Sequence, residues 1–355
     1  MTDLDNDYSG ARAIMYDVKR QYQKLWHKEN NAVKTLLKSA KVQETVCDIP
    51  VGTGRFFKIY HDKKLNVTGY DLSKDMLQCA KKKQYSNIVR LKEGDIFDDK
   101  ITQMVFDWTI CIRLLNRFNT DNMKRAVRAL ANRTAQKCIL GIMHNDNQEN
   151  KRKGQTIVHP LHEVESIFNE VGFVVANRIK MNNEGYYIYL LYKCRPWTSC
   201  WPHCFKATFR EQNKSRGIHI VSHSTAGKST FIKQHNSEFN NILLFDMDDL
   251  VATGVWHGRG KTLNRIVAEH PYKLCCLLSN AHTKPEYIDT NFVAVIPSFD
   301  EMLRNQAARQ EWAKTKKKKP KSSELQNVLA WRESLIQWVQ TANISIAPSF
   351  EAVLE

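Results

Sequence analysis

The stretch FVVANRIKM-NNEG-YYIYLLYK, residues 173–193, constrains the fold more than any other part of the chain. Both runs are rich in β-branched and aromatic residues, and only Asn182–Gly185 separates them. A connection that short permits antiparallel pairing only, because a parallel crossover needs a dozen residues or more. The chain upstream of this hairpin, from residue 46, has a different rhythm. "ETVCDIP", "NVTGYD", "IVRLKEGD", "FDWTICIR" and "KCILGIM" read as strands, and "LSKDMLQCAKKK", "TDNMKRAVRALANR" and "LHEVESIFNEVG" read as helices. Strands alternating with helices predict a parallel, doubly wound α/β sheet, which the hairpin then finishes with antiparallel strands.

A second α/β rhythm starts at "GIHIVSH" and continues through "KSTFIKQH", "NILLFDMDD", "KLCCLLSN", "NFVAVIPS", "FDEMLRNQAARQEWA" and "SELQNVLAWRESLIQWVQ". In the last of these Leu325, Val328, Leu329, Leu335, Ile336 and Val339 fall on roughly one helical face, the pattern of a helix packed on a sheet. "ISIAPSF" supplies a final short strand. A chain of 355 residues exceeds the size of one ordinary hydrophobic core. The organisation expected is therefore a domain over 1–192, a linker over 193–215 and a second domain over 216–355. The linker contains Cys194, Cys200, His203 and Cys204, but their spacing fits a packed Trp- and Cys-rich junction better than a zinc site.

Charge narrows the function classes. Fifty-three Lys and Arg stand against 37 Asp and Glu, a formal net charge of +16, which favours a polyanionic partner, with nucleic acid (RNA foremost) ahead of a membrane surface. The nine cysteines are odd in number and scattered, which argues against a disulfide framework and for a reducing compartment. "MTDLDNDYSG" lacks the charge and apolar pattern of a signal peptide, and no apolar run approaches the roughly 20 residues of a membrane span. The expectation is a protein of the cytoplasm, with virion and nucleus as alternatives, that does not engage membranes.

The first candidate site lies where the first strand runs into "CDIPVGTGRF". Asp48, Pro50, Gly52 and Gly54 sit at its carboxyl end, where glycines let a ligand approach the backbone and where an open α/β sheet has its crevice. Asp71 ends the second strand, with Leu72 beside it, and an acid there can accept both hydroxyls of a ribose. Asp95 and Ile96 follow the third strand in "EGDIF". Taken in order, "DIPVGTGRF", "GYDLSKDML", "GDIF", "FDWTICIRLLNRF" and the closing hairpin resemble the class I S-adenosylmethionine-dependent methyltransferases over about residues 40–192. The resemblance implies a Rossmann-like sheet with a terminal antiparallel hairpin. It implies further that Asp48, Gly52 and Gly54 flank the methionine part of S-adenosylmethionine, that Asp71 holds the ribose, and that Asp95 and Ile96 flank the adenine. The segment Arg113–Asn116 would line the methyl-transfer mouth. No Asn-Pro-Pro-aromatic tetrad follows the fourth strand, which argues against methylation of an exocyclic base amine. A Lys-Asp-Lys-Glu set of the ribose 2′-O-methylating kind is not evident either. A dinucleotide-binding Rossmann domain and a methyltransferase-like fold without activity are the competing readings. The long basic loop "HNDNQENKRKGQTIVHP" offers Lys151, Arg152 and Lys153 to a phosphorylated acceptor, against the simpler reading of a solvated loop.

The second candidate site is "SHSTAGKST", residues 222–230. Backbone N–H groups of such a loop wrap a phosphate, a lysine reaches the β- and γ-phosphates, and a hydroxyl ligates Mg²⁺. Gly227, Lys228, Ser229 and Thr230 supply the last turn, with Ser229 as the Mg²⁺ ligand, whereas Ser222 stands where the leading glycine is usual. Asp246 and Asp248 in "LLFDMDD" come 18 residues or slightly more after Lys228, one helix away. With "VAVIPSFDEMLRNQAARQ" they resemble P-loop nucleoside, polynucleotide and small-metabolite kinases over about residues 216–355. That resemblance implies a P-loop NTPase/kinase α/β domain in which Lys228, Asp246 and Asp248 act on ATP and acceptor. Arg304 and Arg309 would neutralise the transferring phosphoryl group. The run "KTKKKKPK" fits a localisation signal, a nucleic-acid clamp or a solvated loop.

Two group-transfer domains on one basic chain suggest sequential modification of one substrate. The expected function is a bifunctional methyltransferase and kinase using S-adenosylmethionine, ATP and Mg²⁺ on a nucleic-acid end, an RNA 5′ end or cap foremost, or on a nucleotide. A compact fusion of this kind suits a virus or phage. The alternatives are a small-metabolite methyltransferase and kinase, and a nucleic-acid-binding or virion structural protein built from inactive enzyme folds.

Overall fold

The computed structural model describes residues 10–98, 104–145, 151–153, 156–196, 217–222, 228–235, 242–247, 274–279, 291–315, 324–342, 344–347 and 350. They belong to two compact units, Met1–Lys193 and Cys194–Glu355.

In the first unit, three helices precede the sheet: α1 (Ala11–Ile14), α2 (Tyr16–Arg20) and α3 (Lys24–Leu36). Then come β1 (Thr45–Asp48), α4 (Phe57–Asp62), β2 (Asn66–Asp71), α5 (Lys74–Lys81), β3 (Ile88–Glu93) and β4 (Phe106–Cys111). The unit ends with α6 (Thr120–Arg133), β5 (Thr134–Asn145), β6 (Lys151–Lys153), β7 (Thr156–Pro160), α7 (Leu161–Glu170), β8 (Phe173–Lys180) and β9 (Tyr186–Lys193). Strands β3-β2-β1-β4-β5 are parallel neighbours in that order, β9 pairs antiparallel with β5, and β8 antiparallel with β9. The hairpin expected from "NNEG" is thus an antiparallel finish to a parallel sheet. Its last strand in sequence lies inside the sheet, between β5 and β8.

The sequence explains these elements locally. Strands β1 and β2 are buried along almost their whole length, as central parallel strands covered on both faces must be. Helix α6 begins where the Asn119 side chain accepts the Asn122 backbone N–H at 2.9 Å, a cap contributing about 1 kcal/mol. It buries Met123, Ala126, Val127, Leu130 and Ala131, a stripe at helical spacing. The stripe packs with Cys47, Cys111, Cys138, Leu140 and Phe168 in the core. Truncating Leu130 to Ala there costs about 2–5 kcal/mol. Arg133 ends the helix with its side chain buried and donates to the Ile96 and Asp98 carbonyls at 2.8 and 3.2 Å. It thereby ties the segment after β3 to the core.

Two features differ from the sequence reading. The basic stretch after β5 contains an antiparallel ribbon: β6 pairs with β7, and β7 pairs parallel with the end of β5 through His144–His159 and Asn145–Pro160. The alternation in "TIVHP" suffices for a strand once the end of β5 offers it an edge. Pro160, which has no N–H to donate, both ends that strand and precedes α7. The residues before the first strand, for which the sequence reading offers no elements, contain the three helices α1–α3.

The second unit contains β10 (Arg195–Pro196), β11 (Gly217–Ser222), α8 (Lys228–His235), β12 (Ile242–Asp246), β13 (Leu274–Ser279), β14 (Asn291–Val295), α9 (Phe299–Thr315), α10 (Glu324–Thr341) and β15 (Ser345–Ala347). Its sheet has the order β10-β15-β14-β11-β13-β12, every pair parallel. Within the stretch that reads as a linker, Arg195 and Pro196 pair with Ser345 and Ile346. On α10, Val328, Leu335, Ile336 and Val339 are buried, four of the residues that mark its apolar face. Arg332 is buried among them and donates to the Pro297 carbonyl at 2.8 Å, and burial lowers its pKa to about 9.

Candidate functional site

A cavity of about 350 Å³ opens in the first unit beyond the carboxyl ends of the parallel strands. This is the crevice end of an open α/β sheet. The backbone ladder carries on past β1, with Ile49 N–H donating to Ile110 O at 2.9 Å and Val51 N–H to Tyr70 O at 2.8 Å. The chain then turns sharply through Gly52 at φ +55° and Gly54 at φ +73°, left-handed values that side chains with a Cβ adopt at a cost. At Gly54 a Cβ would also lie 2.4 Å from the Phe57 ring.

Asp71 braces this turn. Its Oδ2 accepts Gly52 N–H at 2.8 Å and its Oδ1 accepts Ser73 N–H at 2.9 Å. Burial raises its pKa, and the two backbone donors work against that rise. Asp95 in turn accepts Phe97 N–H at 3.0 Å, which fixes the loop after β3. Phe97 then stands 5.3 Å from Phe118 between ring centroids, with the Arg125 guanidinium 4.7 Å from the Phe97 ring.

Of the residues named from sequence, Pro50, Gly52, Asp71, Leu72, Asp95, Ile96 and Arg113 line the cavity. Asp48 and Gly54 are not lining residues. Asp48 is buried and accepts the Tyr60 hydroxyl at 2.9 Å. Burial, only partly offset by that bond, pushes its pKa up to about 8. It holds a proton at neutral pH and acts as part of the core. Cys47 and Cys138 are likewise free thiols raised to about 12 by burial, so neither is a nucleophile.

Sequence reading missed what the N-terminal helices bring. Tyr16 lines the cavity, and Asp17 ties its helix down by accepting from Thr53 Oγ1 at 2.6 Å and Lys83 Nζ at 2.8 Å. Glu29 on α3 is completely buried. It accepts from Arg55 Nη1 at 2.7 Å and from Arg113 Nε at 2.9 and 3.0 Å. Arg55 is further held by Asn30 Oδ1 at 2.8 Å and the Trp26 carbonyl at 2.5 Å, and lies 3.7 Å from the Trp26 ring centroid. Burial lowers the Arg55 pKa. Burial works the same way on Arg113, but the charge and hydrogen bonds of Glu29 outweigh it and raise the Arg113 pKa. One signal for this network was legible: Trp26, Glu29, Val33 and Leu36 share one buried face of α3, and a lone acid on an apolar stripe needs a cationic partner.

Residues 46–137 match a family model described as a methyltransferase domain. That part of the first unit, from β1 into β5, is similar to a methyltransferase domain. Its fold resembles solved structures at low identity. Magnesium protoporphyrin IX methyltransferase from Synechocystis PCC 6803, solved with bound SAM, is 17% identical, with a TM-score of 0.39 over 52% of this chain and 84% of that one. An S-adenosylmethionine-dependent methyltransferase from Clostridium acetobutylicum is 18% identical, with a TM-score of 0.40 over 50% and 96%. Human N-acetylserotonin methyltransferase in complex with SAM is 15% identical, with a TM-score of 0.42 over 53% and 57%. No curated protein matches the chain in sequence.

In the second unit, Lys228 is the first residue of α8 and is buried, with Ser229 and the exposed Thr230 following it. Ser222 ends β11 fully buried, with no hydrogen-bond partner for its hydroxyl among the described residues. Asp246 ends β12, and Arg304 and Arg309 both belong to α9, Arg304 exposed. Gly227 and Asp248 lie outside the described residues, as do the lysine run 316–321 and Cys200, His203 and Cys204. Among the described residues no cluster of His, Cys, Asp and Glu is placed to hold a metal ion. No helix among them is long and apolar enough to cross a membrane.

Proposed function

We propose that the first unit transfers the methyl group of S-adenosylmethionine to an acceptor on a nucleic acid or nucleotide, an RNA 5′ end or cap foremost. The observation that carries this reading is the cavity, where the glycine turn, Asp71, Asp95 and Arg113 meet within the part similar to a methyltransferase domain. S-adenosylmethionine, when bound, supplies an activated methyl group on a positively charged sulfur. The chain's own part is positioning, which dominates an in-line displacement of this kind. The turn at Gly52 lets a ligand reach the backbone. Asp71 keeps lone pairs for ribose hydroxyls beyond the two it gives to Gly52 and Ser73. Phe97 and Phe118 offer apolar walls beside Asp95 for a base. The net charge of +16 supports a polyanionic acceptor.

The second unit we read as an ATP- and Mg²⁺-dependent phosphotransferase. Counting strands from β11, its parallel sheet runs second-third-first-fourth-fifth, so β12 and β13 lie on one side of β11 and β14 and β15 on the other, and the strand order reverses beside β11. Such a switch point is where α/β sheets bind ligands. Lys228 opens the helix that follows β11, and a helix N-terminus suits phosphate. Ser229 follows Lys228 in sequence as the Mg²⁺-ligating hydroxyl does in a P-loop, and Asp246 is the last residue of β12.

Calorimetric titration with S-adenosylhomocysteine tests the methyltransferase reading. The protein should bind it, and Asp71→Ala should abolish binding while the domain stays folded by circular dichroism. Undiminished binding by that variant would remove Asp71 from the cofactor site. RNA binding that does not weaken with added salt would argue against a phosphate-rich acceptor.

A further inference from the structure

We propose that Arg113, locked by Glu29, is an anchor for a phosphate or carboxylate group of the methyl acceptor. The inference rests on the methyltransferase reading of the cavity. Arg113 follows β4 and adopts φ +66°. That left-handed conformation is unfavourable for any side chain carrying a Cβ and persists only where the surroundings enforce it. Here the enforcing group is Glu29, whose two oxygens both accept from Arg113 Nε. The side chain keeps 23% exposure and lines the cavity. Its Nη2 is buried and has no hydrogen-bond partner among the described residues. A guanidinium pinned through Nε that still has an Nη donor unspent suits a second oxyanion.

The charge balance points the same way. Glu29 is shared between Arg55 and Arg113, so one carboxylate meets two cations. Arg117 and Arg125 line the same cavity. Its lining acids are engaged with backbone, Asp71 with Gly52 and Ser73 and Asp95 with Phe97. Position selects the acceptor over the cofactor as the source of the anion. Asp71 ends β2 and Asp95 comes after β3, on one side of β1, while Arg113 comes after β4 on the other. Tyr16 lines the same cavity.

The test titrates inorganic phosphate into the full-length protein saturated with S-adenosylhomocysteine, for the natural sequence and for Arg113→Gln and Arg113→Lys. Gln retains a donor for Glu29, and Lys retains the charge without the fork, so one of the two variants should fold. The expected result is phosphate binding at least tenfold weaker in the folded variants, with S-adenosylhomocysteine affinity within twofold of the natural protein. Unchanged phosphate affinity would overturn the proposal. So would a matching tenfold loss of S-adenosylhomocysteine affinity, because Arg113 would then hold the cofactor's own carboxylate. Failure of the natural protein to bind S-adenosylhomocysteine at all would instead fail the methyltransferase reading, and the acceptor role with it. Phosphate titration of the cofactor-free protein would still show whether Arg113 holds an anion.

Discussion

Replacing Asp48 by Asn should make the first unit's stability less sensitive to pH. Asp48 is fully enclosed, accepts the Tyr60 hydroxyl, and has its pKa raised from 3.8 to about 8, chiefly by burial. Between those two values the folded chain keeps a proton that the unfolded chain has released. Stability from this group is therefore fully present below about pH 4 and lost as pH rises towards 8. The slope is about 1.4 kcal/mol per pH unit. An amide has nearly the shape of the protonated acid and no charge to bury. Asp48→Asn should thus gain on the natural protein by up to about 1.4 kcal/mol for each unit of pH between 5 and 8. Hydrogen–deuterium exchange of peptides covering 45–48 and 106–111 provides the assay, since these buried strands open only when the core opens. Comparing variant and natural protein at each pH cancels intrinsic exchange and every other titrating group. Parallel stability curves for the two proteins would refute the reasoning, because Asp48 would then be ionised in the folded state.

Gly54→Ala should lower the stability of the first unit by about 1–2 kcal/mol from backbone strain alone, and by more because the new Cβ meets Phe57. A melting point unchanged within a degree would contradict the turn as described. Lys228→Ala should eliminate phosphoryl transfer from ATP, followed with labelled nucleotide, and leave S-adenosylhomocysteine binding intact. If both activities fell together, the two units would not carry independent sites.

The parallel sheet and its antiparallel close were legible in sequence because both depend on local features: alternation of element type and the length of one turn. The glycine turn and Asp71 were legible for the same reason, since each sits at a strand end. What escaped was built from distant residues. Nothing in "GTGRF" says that Arg55 turns away towards Asn30 and Glu29, and nothing near Arg113 identifies Glu29, 84 positions earlier, as its partner. Asp48 shows the opposite error. Its place at the strand end suggests a ligand contact, but Tyr60 on α4 covers it and turns it into a core acid. The ribbon β6–β7 was missed because its short strands need the end of β5 as a template, and sequence pattern alone carries no template.

The placement of β9 between β5 and β8 sets an order on how the first unit comes into being. During synthesis β5 emerges well before the strand that will lie against its outer edge, and β8 must wait for the same residues. Until Lys193 has left the ribosome, the longest strand of the sheet carries an open row of backbone donors and acceptors, an invitation to pair with another chain. A chain interrupted anywhere before Tyr186 would keep that edge permanently. Yield of soluble protein should therefore change abruptly, rather than gradually, as successive truncations cross the final strand.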